Sequence, residues 1–358
     1  MTGRPDKPIS VLVVDDSAVN RRELTRVLDD APGIKVVDRA ADGEEGLKKA
    51  IALKPDVITL DLEMPKLDGY AFLRLLMARA PTPVIVVSSY GHPSDVFKAL
   101  QLGAFDFVAR PAVGDSLNAV RAELIDKVRA VKFVRRDEPP PAPKPRLRTT
   151  KKLEPVKAPA PVVGPERPLI VGVGASTGGP PAVQKLLESL VGLPVCVLVA
   201  QHMPSKFTDA FAERLDQTLS LRVTEARSGD RLLPGRVYVA PGGEQLEVVE
   251  RGGERMLSVK SSLAGDTYAP SVDRLFLSLA QVVGAEASAV VLTGMGNDGA
   301  KGIKALGRVG AGTWAEAESS AVVFGMPEAA IATGAVKHVL PLDELGPHLA
   351  RALKAKTA

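Results

Sequence analysis

Ser176 stands in the stretch Gly172-Val173-Gly174-Ala175-Ser176-Thr177-Gly178-Gly179-Pro180, between the apolar run Pro168–Val171 and a helical pattern from Ala182 to Leu190. Three chemistries suit a glycine-rich turn from strand to helix. A dinucleotide site needs glycine at the sixth position of G-x-G-x-x-G, where this chain has Thr177, and an acid ending the next strand, where it has Gln201-His202. A Walker phosphate loop needs a lysine after the glycines, and none follows. The third pattern, G-x-S-x-G, sets a nucleophilic serine on a tight turn, although a serine there also serves as a helix cap. A nucleophilic serine needs a base and an orienting acid beside it. Of the four histidines, His92 falls in the first half, His338 inside a strand pattern and His348 in the terminal helix. His202 alone ends a strand pattern just before a helix, and Asp298 ends the run Val290–Asn297. Ser176, His202 and Asp298 therefore all fall at C-terminal strand edges, where open α/β sheets place their sites. As a triad they would be nucleophile, general base and orienting acid. Backbone N–H groups near Thr177 and Met295, at glycine-rich helix starts, would bind the oxyanion. The chain order Ser, His, Asp differs from that of α/β-hydrolases, in which Asp precedes His, so a different serine hydrolase fold is expected.

A second constellation is acidic. The first strand pattern ends in Asp15-Asp16 and the third in Asp61. In a parallel sheet these ends point the same way, so the carboxylates converge. Acids gathered at one point repel unless a hard cation sits among them, and oxygen ligands with few protein contacts suit Mg²⁺. Asp61 would then be a nucleophile toward a phosphoryl group. The fourth strand pattern ends in the hydroxyl of Ser88 and the fifth in the cation Arg110. A single aspartate at a strand end is often a helix cap, but five polar residues gathered at strand ends are not explained by capping.

Both constellations depend on alternating β and α patterns. Apolar runs at Val11–Val14, Val57–Leu60 and Val84–Val87 read as buried parallel strands separated by amphipathic stretches. Five such repeats predict a doubly wound, flavodoxin-like α/β fold over residues 8–134. From Asp137 to Pro168 prolines crowd in, apolar periodicity stops and basic residues outnumber acidic ones, which marks a linker, placed at 135–167, that cannot bury a core. After it the alternation resumes over 168–356. Strands are expected at Leu169–Gly174, Val195–Ala200, Val290–Thr293 and Val336–Leu340, and helices at Pro180–Leu190, Lys206–Leu215, Ser271–Val283 and Gly299–Val309. The stretch Glu244–Ser262 reads as an antiparallel hairpin turning at Gly252-Gly253. The expectation is a second doubly wound α/β domain with an antiparallel excursion.

Composition narrows the classes further. No apolar run approaches the ~20 residues of a membrane span, and the N-terminus lacks the apolar core of a signal peptide. The single Cys196, in an apolar run, fits a reducing cytoplasm. Aromatics are 4% of the chain and the net charge is only +4, so stacking platforms for nucleic acid are scarce.

The motifs Val13-Val14-Asp15-Asp16-Ser17, Leu60–Gly69, Val86-Val87-Ser88-Ser89 and Gly103–Pro111 resemble a two-component receiver domain. The resemblance implies that Asp61 is the phospho-acceptor, that Asp15, Asp16, Asp61 and the Glu63 carbonyl hold Mg²⁺, and that Ser88 and Phe107 respond to the phosphoryl group. Arg110 stands where receivers usually carry lysine. In the second half Gly174–Pro180, Gln201–Pro204, Leu233–Gly243, Pro270–Phe276, Leu292–Ile303 and Val322–Ala330 are similar, in order, to the catalytic domain of CheB, the chemotaxis protein-glutamate methylesterase family. The chain departs from the usual residues of that family at Gln245, Ala269 and Glu316–Glu318, positions expected to flank the cleft. The family hydrolyses γ-glutamyl methyl esters on chemoreceptors, releasing methanol, with no cofactor at the esterase site, and many members deamidate receptor glutamines. Its receiver is phosphorylated by a CheA-type histidine kinase, and a CheR-type methyltransferase opposes it. The rival readings are a response regulator whose second domain only binds a partner, without catalysis, and a nicotinamide oxidoreductase, which Thr177 and the missing acid oppose.

Overall fold

The computed structural model describes residues 7–89, 93–110, 120–133 and 168–356, with Ser88 and Ser89 through their backbone alone. The expected linker at 135–167 lies outside them. The chain divides into two compact units, Met1–Arg148 and Thr149–Ala358.

The first unit alternates strand and helix throughout: β1 (Ile9–Val14), α1 (Ala18–Asp29), β2 (Ile34–Ala40), α2 (Gly43–Leu53), β3 (Val57–Leu60), α3 (Gly69–Arg79), β4 (Val84–Ser89), α4 (Pro93–Gln101), β5 (Asp106–Arg110) and α5 (Arg121–Ala130). The five strands are all parallel, in the order β2-β1-β3-β4-β5. This is the flavodoxin-like fold. Val11, Leu12, Val13, Val57, Ile58 and Leu60 are all buried, because helices cover both sheet faces and leave no polar side to alternate with. Ser17, Asp42 and Asp68 each cap the following helix through a side-chain oxygen.

The second unit holds β6 (Leu169–Ala175), α6 (Gly179–Glu188), β7 (Val195–Gln201), α7 (Phe207–Thr218), β8 (Arg222–Glu225), β9 (Arg236–Val239), β10 (Glu244–Arg251), β11 (Glu254–Ser261), α8 (Val272–Val282), β12 (Ser288–Val291), α9 (Ala300–Arg308), β13 (Gly312–Glu316), α10 (Gly325–Ala332), β14 (His338–Leu340) and α11 (Leu342–Ala355). Seven strands form one parallel sheet in the order β14-β13-β12-β6-β7-β9-β8. The antiparallel pair β10-β11 stands apart and turns at Gly252 and Gly253, whose φ values of 61° and 80° are the left-handed pair that a two-residue hairpin turn demands. Its Leu246, Val248 and Leu257 pack into one core with Phe276 and Leu279 of α8. The sheet gains β8, β9 and β13 over the expected strands. Each is only four or five residues long, and β8 and β13 mix polar with apolar residues, too short a pattern to stand out.

Helix α8 lies close against β6 because β6 carries glycine there. A Cβ on Gly172 would sit 3.0 Å from the Phe276 ring, and one on Gly174 would run into Val272. The two glycines therefore clear a path for a helix, the close-packing use of such residues.

Candidate active site

Each sheet reverses its winding next to its first strand, and each reversal carries a polar cluster. In the first unit the loops after β1 and β3 flank this point. Carboxylate oxygens of Asp15, Asp16 and Asp61 lie within 4.8 Å of one another. Asp15 is fully buried, and its Oδ1 accepts from Ser17 N at 2.9 Å and Asn20 Nδ2 at 3.4 Å. Arg21 donates to the carbonyls of Asp15 and Asp16 at 2.7 and 2.8 Å, fixing the loop from behind. Arg110, the last residue of β5, reaches in: its Nη2 donates to Asp15 Oδ2 at 2.6 Å, to the Val87 carbonyl at 3.2 Å and to Asp61 Oδ2 at 3.5 Å. Burial pushes the carboxyls of Asp15 and Asp61 up, and the guanidinium only partly offsets this. Three hard oxygen donors with one cation among them match the donor chemistry of Mg²⁺. Glu63 follows Asp61 in the loop and its N–H donates to Asp61 Oδ1 at 3.3 Å. Phe107 is 2% exposed, edge-on to Phe97 with ring centroids 6.5 Å apart. The strand β4 carries Ser88 to the same edge, and its side chain lies outside the described residues.

In the second unit β6 lies between β7 and β12, and Ser176, His202 and Asp298 follow these three adjacent strands. Ala175 pairs with Gln201, and His202 N donates to the Ala175 carbonyl at 3.0 Å, so Ser176 and His202 leave the sheet side by side. On the other flank Ser176 N donates to the Thr293 carbonyl at 3.0 Å. His202 Nε2 meets Asp298 Oδ2 at 2.8 Å. A carboxylate only accepts, so Nε2 carries a proton, and in the neutral ring Nδ1 is then the acceptor. This is the reverse of the serine-protease arrangement, in which the acid takes Nδ1. Asp298 is 3% exposed and sits at the N-terminus of α8, accepting from Val272 N at 2.7 Å, Asp273 N at 2.8 Å and Ser271 Oγ at 3.0 Å. Burial pushes its carboxyl up, but the hydrogen bond and charge of His202 and the two N–H groups outweigh this and hold it below the usual carboxylate range. Among the described residues Ser176 Oγ makes no hydrogen bond to His202; His202 pairs with Asp298.

Thr177 lies in the turn that leads into α6, where Gly178, at φ 75°, is the N-cap. Met295 is not at a helix start. Gly294 bridges Phe324 and its carbonyl accepts from Met326 N at 2.8 Å, and the chain then turns at Gly296, at φ 86°, well ahead of Ala300, where α9 begins.

Several residues under the site escaped the sequence reading. Thr293 is the hub of the nucleophile turn: its Oγ1 donates to the Thr177 carbonyl at 2.9 Å and accepts from Val323 N at 2.9 Å. Its N–H is held in turn by Glu316 Oε2 at 2.8 Å. Glu316 is 1% exposed and Gln245 0%, so both are buried. No spacing rule marks their contacts to Thr293 N, Ser271 N and the Tyr268 carbonyl, which come from distant segments, beside side-chain bonds of Glu316 with Ser320 and of Gln245 with Asp266. Gln201, also buried, donates to the Ser176 carbonyl at 2.9 Å.

The fold and these two edges define a response regulator: a receiver domain followed by an α/β esterase domain. Residues 11–121 match the response regulator receiver domain, and residues 171–349 match the CheB methylesterase. The chain is 59% identical to protein-glutamate methylesterase/protein-glutamine glutaminase 1 of Myxococcus xanthus, with 96% of each chain covered. It is 46% identical to the third such protein of Geobacter sulfurreducens, over 95% of this chain and 96% of that one. The crystal structure of the Thermotoga maritima CheB methylesterase catalytic domain is 36% identical with a TM-score of 0.50, covering 52% of this chain and 99% of that one. The chain belongs to the CheB methylesterase family.

Proposed function

We propose that this protein removes methyl groups from glutamyl methyl esters of chemoreceptors, releasing methanol, and deamidates receptor glutamines, under control of phosphorylation at Asp61. The observation that carries the reading is the His202–Asp298 pair at the strand end beside Ser176. In this reading Nδ1 of His202 takes the Ser176 Oγ proton as Oγ attacks the ester carbonyl. The oxyanion is met by backbone N–H groups at Thr177 and Met295. The imidazolium gives its proton to the leaving methoxide, and methanol departs. Water, activated by the same imidazole, then frees the glutamate and Ser176. With a glutamine substrate ammonia leaves in place of methanol. Asp298 keeps the proton on Nε2 and stabilises the charged ring.

In the receiver, Asp15, Asp16, Asp61 and the Glu63 carbonyl would hold Mg²⁺, which supplies charge neutralisation for phosphoryl transfer. The phosphodonor would be a CheA-type histidine kinase and the opposing enzyme a CheR-type methyltransferase. Arg110 already bridges two of the carboxylates, and a phosphoryl group on Asp61 would compete for it. Ser88 and Phe107 are assigned the switch roles by family likeness. No helix among the described residues is long and apolar enough to cross a membrane, and we place the enzyme in the cytoplasm, where the buried, free Cys196 stays reduced. A purely partner-binding second domain is disfavoured by the assembled His202–Asp298 pair. Ser176→Ala tests the reading: the variant should fold and release methanol at background rate, since loss of a triad member typically costs several orders of magnitude. Near-wild-type release would remove Ser176 from the mechanism.

A further inference from the structure

His202 has a second partner besides Asp298. The ring of Tyr268 lies parallel to the imidazole, with planes 6° apart and centroids 4.5 Å apart. Tyr268 comes from the segment between β11 and α8, and that segment is tied down on both sides of it. The Tyr268 carbonyl accepts from Gln245 Nε2 at 2.7 Å, and Gln245 Oε1 accepts from Ser271 N at 2.9 Å. The Ala269 carbonyl accepts from Gly243 N at 3.0 Å. Ser271 Oγ then donates to Asp298 Oδ1 at 3.0 Å. One short segment thus touches both the acid and the ring that the acid orients. At its other end the Tyr268 hydroxyl lies over Gly296, where a Cβ would come to 2.5 Å from it.

The imidazole has one side-chain hydrogen bond among the described residues, the one to Asp298. A single bond at Nε2 leaves the ring able to tilt about that contact, which swings Nδ1. A flat side chain packed parallel to the imidazole removes this tilt, and stacked aromatic rings attract beyond the area they bury.

We propose that Tyr268 is a positioning residue for the esterase reaction. Its ring holds His202 in the plane where Nε2 meets Asp298 and Nδ1 serves Ser176, and its hydroxyl end walls the cleft beside the Met295-Gly296 turn. The proposal rests on the reading of Ser176, His202 and Asp298 as a triad. Only the flat ring is needed for positioning, so the hydroxyl is dispensable.

Two readouts on the full chain test it: the rate at which a fluorophosphonate probe labels Ser176, and kcat and KM for methanol release from a methylated receptor. Tyr268→Phe keeps the ring and should stay close to wild type in both. Tyr268→Leu should lower the labelling rate and kcat together, on the order of 10- to 100-fold, the scale of a misplaced catalytic group, with KM little changed. A Leu variant that labels as fast as wild type, or loses only KM, overturns the proposal, since Tyr268 then touches only the receptor. If the Leu variant does not fold, the Phe variant decides: a comparable fall there assigns the effect to the hydroxyl and also overturns it. His202→Ala separates the two levels. It should abolish labelling, and labelling at the wild-type rate would sink the triad itself, whatever Tyr268 does.

Discussion

Asp298 accepts hydrogen bonds from the His202 ring, the Ser271 hydroxyl and the N–H groups of Val272, Asp273 and Gly299. All of these are donors, which suits a carboxylate and no neutral replacement. Asp298→Asn would turn an amide NH₂ toward other donors or toward His202, favouring the wrong tautomer. We predict a fall in kcat approaching the ~10⁴-fold seen when a serine-protease aspartate is so changed; a few-fold loss would make Asp298 a helix cap only. The lowered carboxyl of Asp298 also has a thermal consequence. Its folded pKa lies below the unfolded one, so its stabilising contribution is complete above the usual aspartate range and drains away as pH falls through the lower, folded value. Glu316 behaves in the opposite sense. Burial raises its carboxyl, so its contribution is present below the usual glutamate pKa and lost as pH rises through the higher folded value. Glutamine can keep the bond from Thr293 N through its amide oxygen and donate its NH₂ to Ser320 Oγ, reversing the bond that Glu316 Oε1 accepts from that hydroxyl, without a buried charge. Glu316→Gln should therefore raise Tm at neutral pH by about 2–4 °C and show little gain in acid, with methylesterase activity retained. A lower Tm at neutral pH would show that the charge is wanted there. Ser176, His202 and Asp298 stood out in the sequence as a candidate triad because each follows an apolar strand pattern; in the fold Ser176 and His202 come directly after β6 and β7, while Asp298 lies in the loop beyond β12, which ends at Val291. Thr293 and Tyr268 did not stand out, and Gln245 and Glu316 did so only as departures from the family pattern, because most of their contacts run to backbone groups and ring faces that only the folded chain assembles.

At the level of elements, the glycines before Ser176 show how one pattern can carry two meanings. Gly172 and Gly174 invite comparison with a phosphate loop, yet their use is to admit α8 against β6, where Phe276 and Val272 fill the space a Cβ would take. This closeness matters for chemistry, because it is the N-terminus of α8 that delivers the Val272 and Asp273 N–H groups to Asp298. Gly174→Ala should push that end of α8 away. We predict a loss of about 1–3 kcal/mol in stability, typical of overpacking, with a fall in kcat beyond what the stability loss explains. An unchanged denaturation midpoint would mean that α8 shifts freely and that the glycine is not needed for packing. Long apolar strands and the hairpin with its paired glycines were readable from periodicity. The short strands β8, β9 and β13 were not, because four or five residues next to turns leave too little pattern.

Across the whole molecule the same architectural device occurs twice. Each unit is a parallel α/β sheet, and each sets its proposed reactive residue, Asp61 or Ser176, where the winding reverses, beside the first strand. In the proposed function one site accepts a phosphoryl group, the other cleaves an ester, and the first governs the second. The most direct test is methanol release from a methylated receptor by the full chain, with Mg²⁺, in the presence and absence of a small-molecule phosphodonor. The wild-type rate should rise with the phosphodonor. Asp61→Asn should keep the basal rate and lose the response, while Ser176→Ala should stay at background in both conditions. An equal wild-type rate with and without phosphodonor, at demonstrated phosphorylation of Asp61, would contradict the account.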